Sequence, residues 1–219
     1  MKVSVIMSAY NAQKTINKAI DSVLTQTYKD LELIIVNDSS TDDTDKLISQ
    51  YTDERMKYIK HDINKGCGLA RRSGIHAATG EYIAFLDSDD YYAKDYIETL
   101  VNATDNGKID MVSSGYIAVK DGKEIRKAPN PREATSDVSS LYFYDESNTL
   151  HFLNIQLLKK ALFDHVEYSD RRFIEDSSTF VKLIYYAKSR KAIDYAGYYY
   201  VQNDNSLIHT CSKYKNLLY

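Results

Sequence analysis

Several features that define other classes of protein are absent or scarce in this sequence. Its 219 residues contain no tryptophan, two prolines and two cysteines. Cys67 and Cys211 lie far apart and match neither a C-x-x-C pair nor the spacing of zinc ligands. The sequence therefore predicts free thiols and argues against a disulfide framework or a structural zinc site. No internal repeat or low-complexity linker divides the chain, which favours a single domain.

Charge and apolar patterning argue against two further classes. The formal net charge is -3, and Lys and Arg are mixed with Asp and Glu, so there is no basic surface of the kind that binds nucleic acid. No apolar run approaches the length of a transmembrane segment, and a strand-like pattern begins at once at the N-terminus. We therefore expect a cytoplasmic protein. Its hydrophobic content of 43% is sufficient for a substantial core.

The first half of the chain alternates two hydrophobic patterns. Continuous apolar runs predict buried strands, and apolar residues at a spacing of three or four predict helices. Strands are predicted at Val3 to Met7, Leu31 to Val36, Lys57 to Lys60 and Tyr82 to Leu86, with a helical pattern after each. Strands and helices that alternate through short loops predict an α/β fold with a mostly parallel sheet covered by helices on both faces.

The pattern changes in the second half. The segment Lys120-Asp121-Gly122-Lys123 lies between two short strand-like runs and predicts a β-hairpin. Leu153 to Phe163 and Asp176 to Ala187 are predicted to be helices, and Tyr195 to Val201 a final strand. We expect this smaller, mixed region to share a core with the first half.

Three carboxylates follow the buried strand that begins at Tyr82. Asp87, Asp89 and Asp90 lie close together and should repel one another unless a cation balances them. Ligands of open α/β sheets bind beyond the carboxyl ends of the strands, so this cluster is placed to hold a hard divalent cation and a phosphorylated ligand. The alternative is that these aspartates cap the next helix or remain solvated in a loop.

Other polar groups follow the remaining strands and should meet the acidic cluster at one edge of the sheet. Asp38 could accept a hydrogen bond from N3-H of uracil or from a ribose hydroxyl, or it could cap the following helix. Gly66 and Gly68 allow a close approach of the backbone to a ligand, and Arg71 could pair with phosphate or be solvated. The two glycines follow the third strand and lack a third glycine, so they are not a dinucleotide fingerprint.

Five segments, taken together and in this order, resemble the inverting family 2 glycosyltransferases of the GT-A fold over nearly the whole chain. The matching segments are Val3 to Asn11, Ile34 to Asp42, Asn64 to Gly66 with Ala70 and Arg71, Phe85 to Asp90, and Ile174 to Asp176. The sequence differs from the usual family pattern at Ser8, where proline is common, and at Arg72, where asparagine often follows the arginine.

The resemblance implies a Rossmann-like, mostly parallel sheet with a nucleotide-sugar-binding half at residues 1–115 and an acceptor-binding half at residues 116–219. It implies that Tyr10, Asn11 and Asp38 hold the nucleoside, usually uridine, and that Asp87 contacts the ribose or the metal. Asp89 is then expected to bind Mn²⁺ or Mg²⁺ at the diphosphate. The complete set of residues expected to line the donor site is Ser8, Ala9, Tyr10, Asn11, Asp38, Gly66, Arg71, Asp87 and Ser88.

The resemblance also implies a catalytic base and a further metal ligand. Glu175-Asp176 stands where the family has an E-D motif, so Asp176 is expected to accept the proton of the acceptor hydroxyl. Glu175 could serve as the base instead, or it could orient the acceptor or cap the helix. His209 is a candidate third ligand of the metal, since some relatives recruit a late histidine, although a histidine in such a position could equally be solvated.

These residues predict a metal-dependent, inverting enzyme that transfers a sugar from a UDP-sugar to a hydroxyl in surface polysaccharide or glycoconjugate synthesis. The acceptor is expected to be a glycan or a lipid-linked glycan, reached at the inner face of the membrane. Peripheral membrane association and a homo-oligomer remain open. The chain lacks the Q-x-x-R-W motif of the processive members, which predicts non-processive transfer.

Two other functions are compatible with parts of the pattern. One is a catalytically silent nucleotide-sugar-binding partner of another transferase, against which the intact Asp176 argues. The other is a phosphatase with an aspartyl nucleophile, whose D-x-D motif normally ends the first strand and continues to Gly-Thr. Here Asp87 ends the fourth predicted strand, and Asp90-Tyr91 follows the motif.

Overall fold

The computed structural model describes residues 1–128, 153–169 and 175–202. Within these ranges nine strands form one sheet. Eight of them follow the order β3-β2-β1-β4-β8-β6-β9-β5, and β7 pairs with β6 outside this path. The expected α/β fold with a mostly parallel sheet in the first half is confirmed.

Four parallel strands and three helices make up the first part of the chain. The strands are β1 Val3–Ala9, β2 Leu31–Asn37, β3 Met56–Lys60 and β4 Tyr82–Asp87. The helices are α1 Ile16–Leu24, α2 Thr44–Ile48 and α3 Cys67–Ala77. β1 lies between β2 and β4 and is parallel to both. All seven residues of β2 are buried, as expected for a strand covered on both faces, and five of them are apolar, with Glu32 and Asn37 as the exceptions.

The second part of the chain makes the sheet mixed. Its elements are β5 Tyr91–Tyr92, α4 Tyr96–Asn102, β6 Met111–Lys120, β7 Lys123–Ala128, β8 Gln156–Lys159, α5 Glu175–Tyr186 and β9 Arg190–Val201. β8 is antiparallel to both of its neighbours, β4 and β6, while β9 is parallel to β6. The predicted hairpin between β6 and β7 is confirmed, and Asp121 and Gly122 in its turn have positive φ angles of 50° and 73°.

The prediction of a helix from Leu153 to Phe163 is wrong. This segment is a short 3-10 helix at Leu153–Ile155, the strand β8, and a second 3-10 helix at Lys160–Asp164. Leu157 and Leu158 point to opposite faces of the sheet, and both are fully buried because helices or loops cover both faces at this position. A short apolar run of this kind does not distinguish a central strand from a buried helix, and pairing with β4 and β6 decides the outcome.

The core lies on both faces of the sheet, and the alternation of side chains along β1 divides it. Val5 and Met7 pack in the cluster that includes α1 and α4, whereas Ile6 packs in the cluster that includes α3 and α5. Each cluster contains residues from both the first and the second part of the chain, among those that the structure describes. Among the described residues, no helix is both long enough and apolar enough to cross a membrane.

Candidate active site

The carboxyl ends of β1, β2 and β4 lie side by side and bring most of the predicted site residues to one edge of the sheet. Ala9 is paired with Asn37, and Ser8 is paired with Asp87. Asp38 follows its strand directly, and its N-H donates to the carbonyl of Ala9 over 2.8 Å. The convergence that the sequence predicted at this edge is therefore present.

An acidic cluster occupies the end of β4. Asp87, Asp89 and Asp90 each place one carboxylate oxygen within 4.8 Å of the others. Asp90 is almost fully buried and accepts hydrogen bonds from N-H of Val201 at 2.7 Å and from the Tyr198 hydroxyl. Burial, followed by the charges of Asp89 and Asp87, raises the pKa of Asp90 well above 3.8. The motif D-x-D thus contributes to a three-carboxylate cluster with Asp90 as its buried member.

Asp87 is held from two directions. Its Oδ1 accepts a hydrogen bond from Nη2 of Arg71 at 2.6 Å, and its Oδ2 accepts one from Nδ2 of Asn154 at 2.7 Å. Nδ2 of Asn154 also donates to the hydroxyl of Tyr198 at 3.0 Å, which in turn donates to Asp90. Asn154 and Tyr198 therefore join two members of the acidic cluster and fix its geometry.

The acidic cluster has the donor chemistry of a site for a hard cation. Carboxylate oxygens are the ligands that Mg²⁺ and Mn²⁺ prefer. Each oxygen of Asp87 has about two lone pairs and receives one of the hydrogen bonds described above, so it retains capacity for a cation. The residues present fit the predicted divalent metal. His209, the third predicted ligand, lies outside the described residues.

Arg71 lies in α3 and connects the acidic cluster to the predicted catalytic base. Its side chain is 3% exposed. Nη1 donates to the hydroxyl of Tyr168 at 2.7 Å and to the carboxylate of Asp176, while Nη2 donates to Asp87. The alternative of a solvated Arg71 is therefore wrong, whereas its pairing with phosphate remains a prediction.

Asp176 lies in the first turn of α5, with its side chain about one quarter exposed at 24%. It accepts hydrogen bonds from Arg71 and from the hydroxyl of Tyr168. Burial raises the pKa of Asp176 above 3.8, although the charge of Arg71 and the hydrogen bond from Tyr168 act in the opposite direction. Glu175 begins α5, but its side chain lies outside the described part of the structure.

Asp38 is a buried anchor for the segment that leads into α3. Its carboxylate accepts hydrogen bonds from N-H of Lys65 at 3.0 and 3.1 Å, from N-H of Gly66 at 2.7 Å and from the ring of His61 at 2.6 Å. Among the described residues, these bonds go to the segment before α3 and not to α2. The alternative that Asp38 caps the helix that follows it is therefore wrong. Its contact with a nucleoside remains a prediction.

Gly66 has the backbone conformation that this anchor requires. Its φ and ψ angles are 91° and 161°, a region that only glycine adopts readily. A Cβ atom at this position would meet nothing within 4 Å. Glycine is therefore needed here because of the φ and ψ angles, and not because a side chain would collide with its neighbours. The open space beside Gly66 leaves room for a ligand, as the sequence suggested.

The segment after β1 combines an exposed ring with a fixed loop. Tyr10 is 50% exposed, so its ring is accessible to a ligand. Asn11 has a positive φ of 50°, and its Oδ1 accepts a hydrogen bond from N-H of Thr41 at 2.8 Å. Its own N-H donates to Ser40 at 3.0 Å. Asn11 therefore ties the loops after β1 and β2 to each other.

The remaining predicted residues lie at the same edge. Ser8 Oγ is 3.3 Å from Sγ of Cys67, at the start of α3. Burial raises the pKa of Cys67 to about 12, so the thiol is protonated at neutral pH. Ser88 lies in the turn that Asp90 closes by donating its N-H to the carbonyl of Asp87 at 3.1 Å.

Sequence reasoning missed four side chains that complete the network. These are His61, Asn154, Tyr168 and Tyr198. His61 could have been predicted from the sequence, because it directly follows β3 and so lies at the edge of the sheet where Asp38 was expected. Asn154 was hidden by the wrong helix prediction, and neither tyrosine stands out in a chain with 20 of them.

The fold and this edge define a protein of the GT-A type. The S. aureus TarS 1-349 structure in complex with UDP-GlcNAc is similar to this chain, with a TM-score of 0.78 and 25% sequence identity over 94% of this chain and 60% of that one. The sequence model described as Glycosyl transferase family 2 matches residues 4–167. The chain belongs to family 2 of the glycosyltransferases, as its motifs indicated.

Two relatives show the range of similarity. The Escherichia coli UDP-Glc:alpha-D-GlcNAc-diphosphoundecaprenol beta-1,3-glucosyltransferase WfaP is 43% identical over 119 residues, which are 54% of this chain and 47% of WfaP. The uncharacterized glycosyltransferase EpsJ of Bacillus subtilis is 31% identical in an alignment of 217 positions that covers 94% of this chain and 62% of EpsJ. The chain thus spans about half to three fifths of the length of these relatives.

Proposed function

We propose that this protein is a metal-dependent, inverting glycosyltransferase that moves a sugar from a UDP-sugar to a hydroxyl of a glycan acceptor. The observation that carries the proposal is the connection from the acidic cluster Asp87, Asp89 and Asp90 through Arg71 to Asp176. Groups suited to binding a diphosphate and a group suited to accepting a proton therefore lie in one connected site.

The donor is proposed to be a UDP-sugar. TarS was crystallised with UDP-GlcNAc, and the name of WfaP specifies UDP-Glc. Asp38 is an acceptor-only carboxylate when ionised, which suits N3-H of uracil, and the accessible ring of Tyr10 can stack on the base. Ser8, Ala9, Asn11, Gly66 and Ser88 would form the walls of this donor site.

Asp89 and Asp87 would hold Mn²⁺ or Mg²⁺, with the buried Asp90 supporting them. The chemistry that such an ion supplies is neutralisation of the charge that develops on the departing diphosphate. The protein's own contribution is to keep the carboxylates in place through Arg71, Asn154 and Tyr198. His209 is retained as a proposed further ligand.

Asp176 is proposed to be the general base. A carboxylate near the acceptor hydroxyl takes its proton while the hydroxyl oxygen attacks the anomeric carbon and the bond to the diphosphate breaks. A single displacement of this kind inverts the anomeric centre. The raised pKa of Asp176 makes it a stronger base than an ordinary aspartate, while Arg71 and Tyr168 fix its orientation. Glu175 is the proposed substitute if Asp176 is not the base.

The acceptor is proposed to bind along residues 116–219 and to be a glycan, free or carried on a lipid diphosphate. The name of WfaP specifies a GlcNAc-diphosphoundecaprenol acceptor, and this relationship supports a role in surface polysaccharide or glycoconjugate synthesis. Such an acceptor would place the enzyme at the cytoplasmic face of a membrane.

Isothermal titration calorimetry with UDP, in the presence and absence of Mn²⁺, tests the proposal. The wild type should require Mn²⁺ for tight binding, and Asp89→Ala should lose about tenfold or more in affinity because a metal ligand is removed. Asp105→Ala, at an exposed loop position, is the control and should bind as the wild type does. Absence of UDP binding by the wild type, or unchanged binding by Asp89→Ala, would contradict the proposal.

The catalytic step requires a second assay. UDP release from UDP-glucose is measured with a synthetic lipid bearing α-linked GlcNAc diphosphate, the acceptor chemistry named for WfaP. Asp176→Asn should bind UDP like the wild type and lose transfer, because the amide cannot accept the proton. An active Asp176→Asn variant would move the role of the base to Glu175.

A further inference from the structure

A cavity lies outside the proposed donor site, between α3 and the segment that precedes α5. Its volume is about 320 Å³, near the lower end of the range of about 300–1,000 Å³ that small-ligand sites occupy. Arg72, Ile75 and His76 of α3 form one wall, and residues 163–168 form the other. Among the described residues that line it, none is proposed to bind UDP or the metal, so the cavity is separate from the donor site.

Arg72 is a lining residue that differs from the residue usual in the family, since asparagine often follows the arginine of the motif. Arg71 and Arg72 are neighbours in sequence but have different partners. Arg71 donates to Asp87 and Asp176, whereas Arg72 pairs with Glu167, and both members of this second pair line the cavity. Glu167 is exposed, and ion pairs of this kind contribute little to stability. Stabilisation of the fold therefore accounts for little of the difference at Arg72.

The polar groups of the cavity favour an uncharged ligand rich in hydroxyls. Arg72 is balanced by Glu167, and Asp164 adds a further negative charge. With histidine counted as neutral, the described lining has no excess of positive charge with which to bind a phosphate. The guanidinium supplies donors, the carboxylates supply acceptors, and the rings of His76 and His165 supply both. A sugar hydroxyl both donates and accepts, so it suits such a mixed set of partners.

Apolar and aromatic groups form the rest of the lining. Ile75, Phe163 and Tyr168 are among them, and they offer a surface for the C-H face of a sugar ring. At the edge of the cavity, the exposed ring of His165 stacks on Tyr186 in the last turn of α5, with ring centroids 5.1 Å apart. Tyr186 is 42% exposed, so the stacked pair extends this surface beyond the cavity and gives room for a second sugar unit.

Tyr168 connects the cavity to the proposed general base. It lines the cavity, and its hydroxyl donates to the carboxylate of Asp176. Asp176 itself is not among the described residues that line the cavity. A saccharide in the cavity would therefore lie one side chain away from the base, too far for its own hydroxyl to react but close enough to be joined to a unit that does.

We propose that this cavity is a carbohydrate-binding site, separate from the donor site, in which Arg72 holds a sugar unit of the acceptor glycan. The inference rests on the proposed function for the role of the glycan as acceptor, and it adds a location and a residue. The unit in the cavity is not the one that carries the reacting hydroxyl, because that unit must contact Asp176. Acceptors with at least two sugar units are therefore the preferred substrate class.

Ligand-observed NMR titrations test the site directly. The saccharides are glucose, galactose, N-acetylglucosamine, cellobiose, lactose and chitobiose, and the proteins are the wild type and Arg72→Asn. At least one saccharide should bind the wild type, and its affinity should fall about tenfold or more in Arg72→Asn, because hydrogen bonds from a charged donor are lost. The variant should fold, since asparagine is common at this position in the family. Arg126→Asn, at an exposed position of β7, is the matched control and should bind as the wild type does.

Competitors distinguish the cavity from other binding sites. UDP with Mn²⁺ should leave the saccharide bound, because the donor site is elsewhere, and inorganic phosphate should leave it bound because the cavity has no excess of positive charge. Displacement by UDP would place the saccharide in the donor site, and displacement by phosphate would reveal an anion site. Either result would overturn the inference. Absence of binding by every saccharide, or equal affinities of the wild type and Arg72→Asn, would overturn it as well.

Transfer kinetics test the acceptor role. The lipid bearing α-linked GlcNAc diphosphate is compared with the same lipid extended to chitobiose. In the wild type the longer acceptor should have a KM lower by about tenfold, and Arg72→Asn should remove this advantage with kcat little changed, because binding shared by the ground state and the transition state is lost. Equal KM values in the wild type would overturn the acceptor role. Failure of the wild type to bind UDP or to transfer sugar would contradict the proposed function instead, and the titrations would still decide whether the cavity binds carbohydrate.

Discussion

Arg71 donates a hydrogen bond from Nη1 to the carboxylate of Asp176, the proposed general base. The other terminal nitrogen of the same guanidinium donates to Asp87 at 2.6 Å. One buried cation therefore balances two carboxylates that come from different elements, β4 and α5. Burial opposes the charge of Arg71, but the negative charge of Asp176 and other neighbouring groups outweigh it and raise the pKa of Arg71 well above its ordinary value.

Replacement of Arg71 by methionine should destabilise the fold strongly. Arg71→Met keeps much of the side-chain length but leaves Asp87 and Asp176 without their shared cation, and loss of one partner of a buried ion pair typically costs about 3–5 kcal/mol. Urea unfolding at neutral pH measures the change. Arg72→Met is the control, because Arg72 pairs with the exposed Glu167 and should lose about 1 kcal/mol or less. Equal losses in the two variants would contradict this role of Arg71.

As pH is lowered, the rate of sugar transfer should begin to fall at a higher pH than it would if the general base were an aspartate with an ordinary pKa. Burial raises the pKa of Asp176 above 3.8, and the base must be ionised to accept a proton. Tyr168→Phe removes a hydrogen bond that lowers this pKa, so the acid limb of the pH-rate profile should move to still higher pH. The profile is measured at saturating UDP-sugar. A limb that stays in place in Tyr168→Phe would contradict the assignment.

The raised pKa of Asp176 also predicts how the stability of the protein depends on pH. The folded state binds the proton of Asp176 more tightly than the unfolded state, so the contribution of this group to stability is greatest below the unfolded pKa. It decreases as pH rises toward the folded pKa. Urea titration at several pH values measures the free energy of unfolding of the wild type and of Asp176→Asn. As pH rises from the unfolded pKa of Asp176 to its folded pKa, the wild type should lose stability relative to the variant. A difference independent of pH would show that the pKa is not raised.

Asn154 should be intolerant of a carboxylate. In Asn154→Asp the donor to Asp87 is lost and a fourth carboxylate is added beside the acidic cluster. Loss of a buried hydrogen-bond partner costs about 1–3 kcal/mol, and the like charge adds to this. Urea unfolding should show the loss at neutral pH, and the loss should shrink in acid as carboxylates become protonated. Asn106→Asp, in an exposed turn, is the control. Equal effects at the two positions would contradict the role of Asn154.

The sequence was most informative where a residue's position in the fold follows from its immediate neighbours. β1, β2 and β4 are buried on both faces and are therefore visible as mainly apolar runs. The polar residues at their carboxyl ends, including Asp38 and Asp87, could be placed at one edge of the sheet. The β6–β7 hairpin was equally local, since Asp121-Gly122 specifies its turn.

The sequence was least informative where distant segments meet. Asp176 and Arg71 are separated by 105 residues, so nothing in the local pattern of either shows that they pair. The strand character of β8 depends on pairing with β4 and β6, and the wrong helix prediction there concealed Asn154. His61 directly follows β3, so its place at this edge could have been predicted in the way that the place of Asp38 was. Its contact with Ser73 in α3 could not, because the two residues lie in different elements.

Gly66 should not tolerate alanine, for reasons of backbone conformation alone. Its φ and ψ angles of 91° and 161° are nearly restricted to glycine, whereas an added Cβ would meet nothing within 4 Å. Gly66→Ala should therefore cost about 1–3 kcal/mol in strain or force the backbone to rotate away from Asp38, which weakens UDP binding. Gly122→Ala is a matched control, since Gly122 also has a positive φ of 73° and open space around it but lies in the β6–β7 turn. Both variants should lose stability in urea, and only Gly66→Ala should lose UDP affinity by calorimetry. Normal UDP affinity in Gly66→Ala would show that the segment before α3 does not shape the donor site.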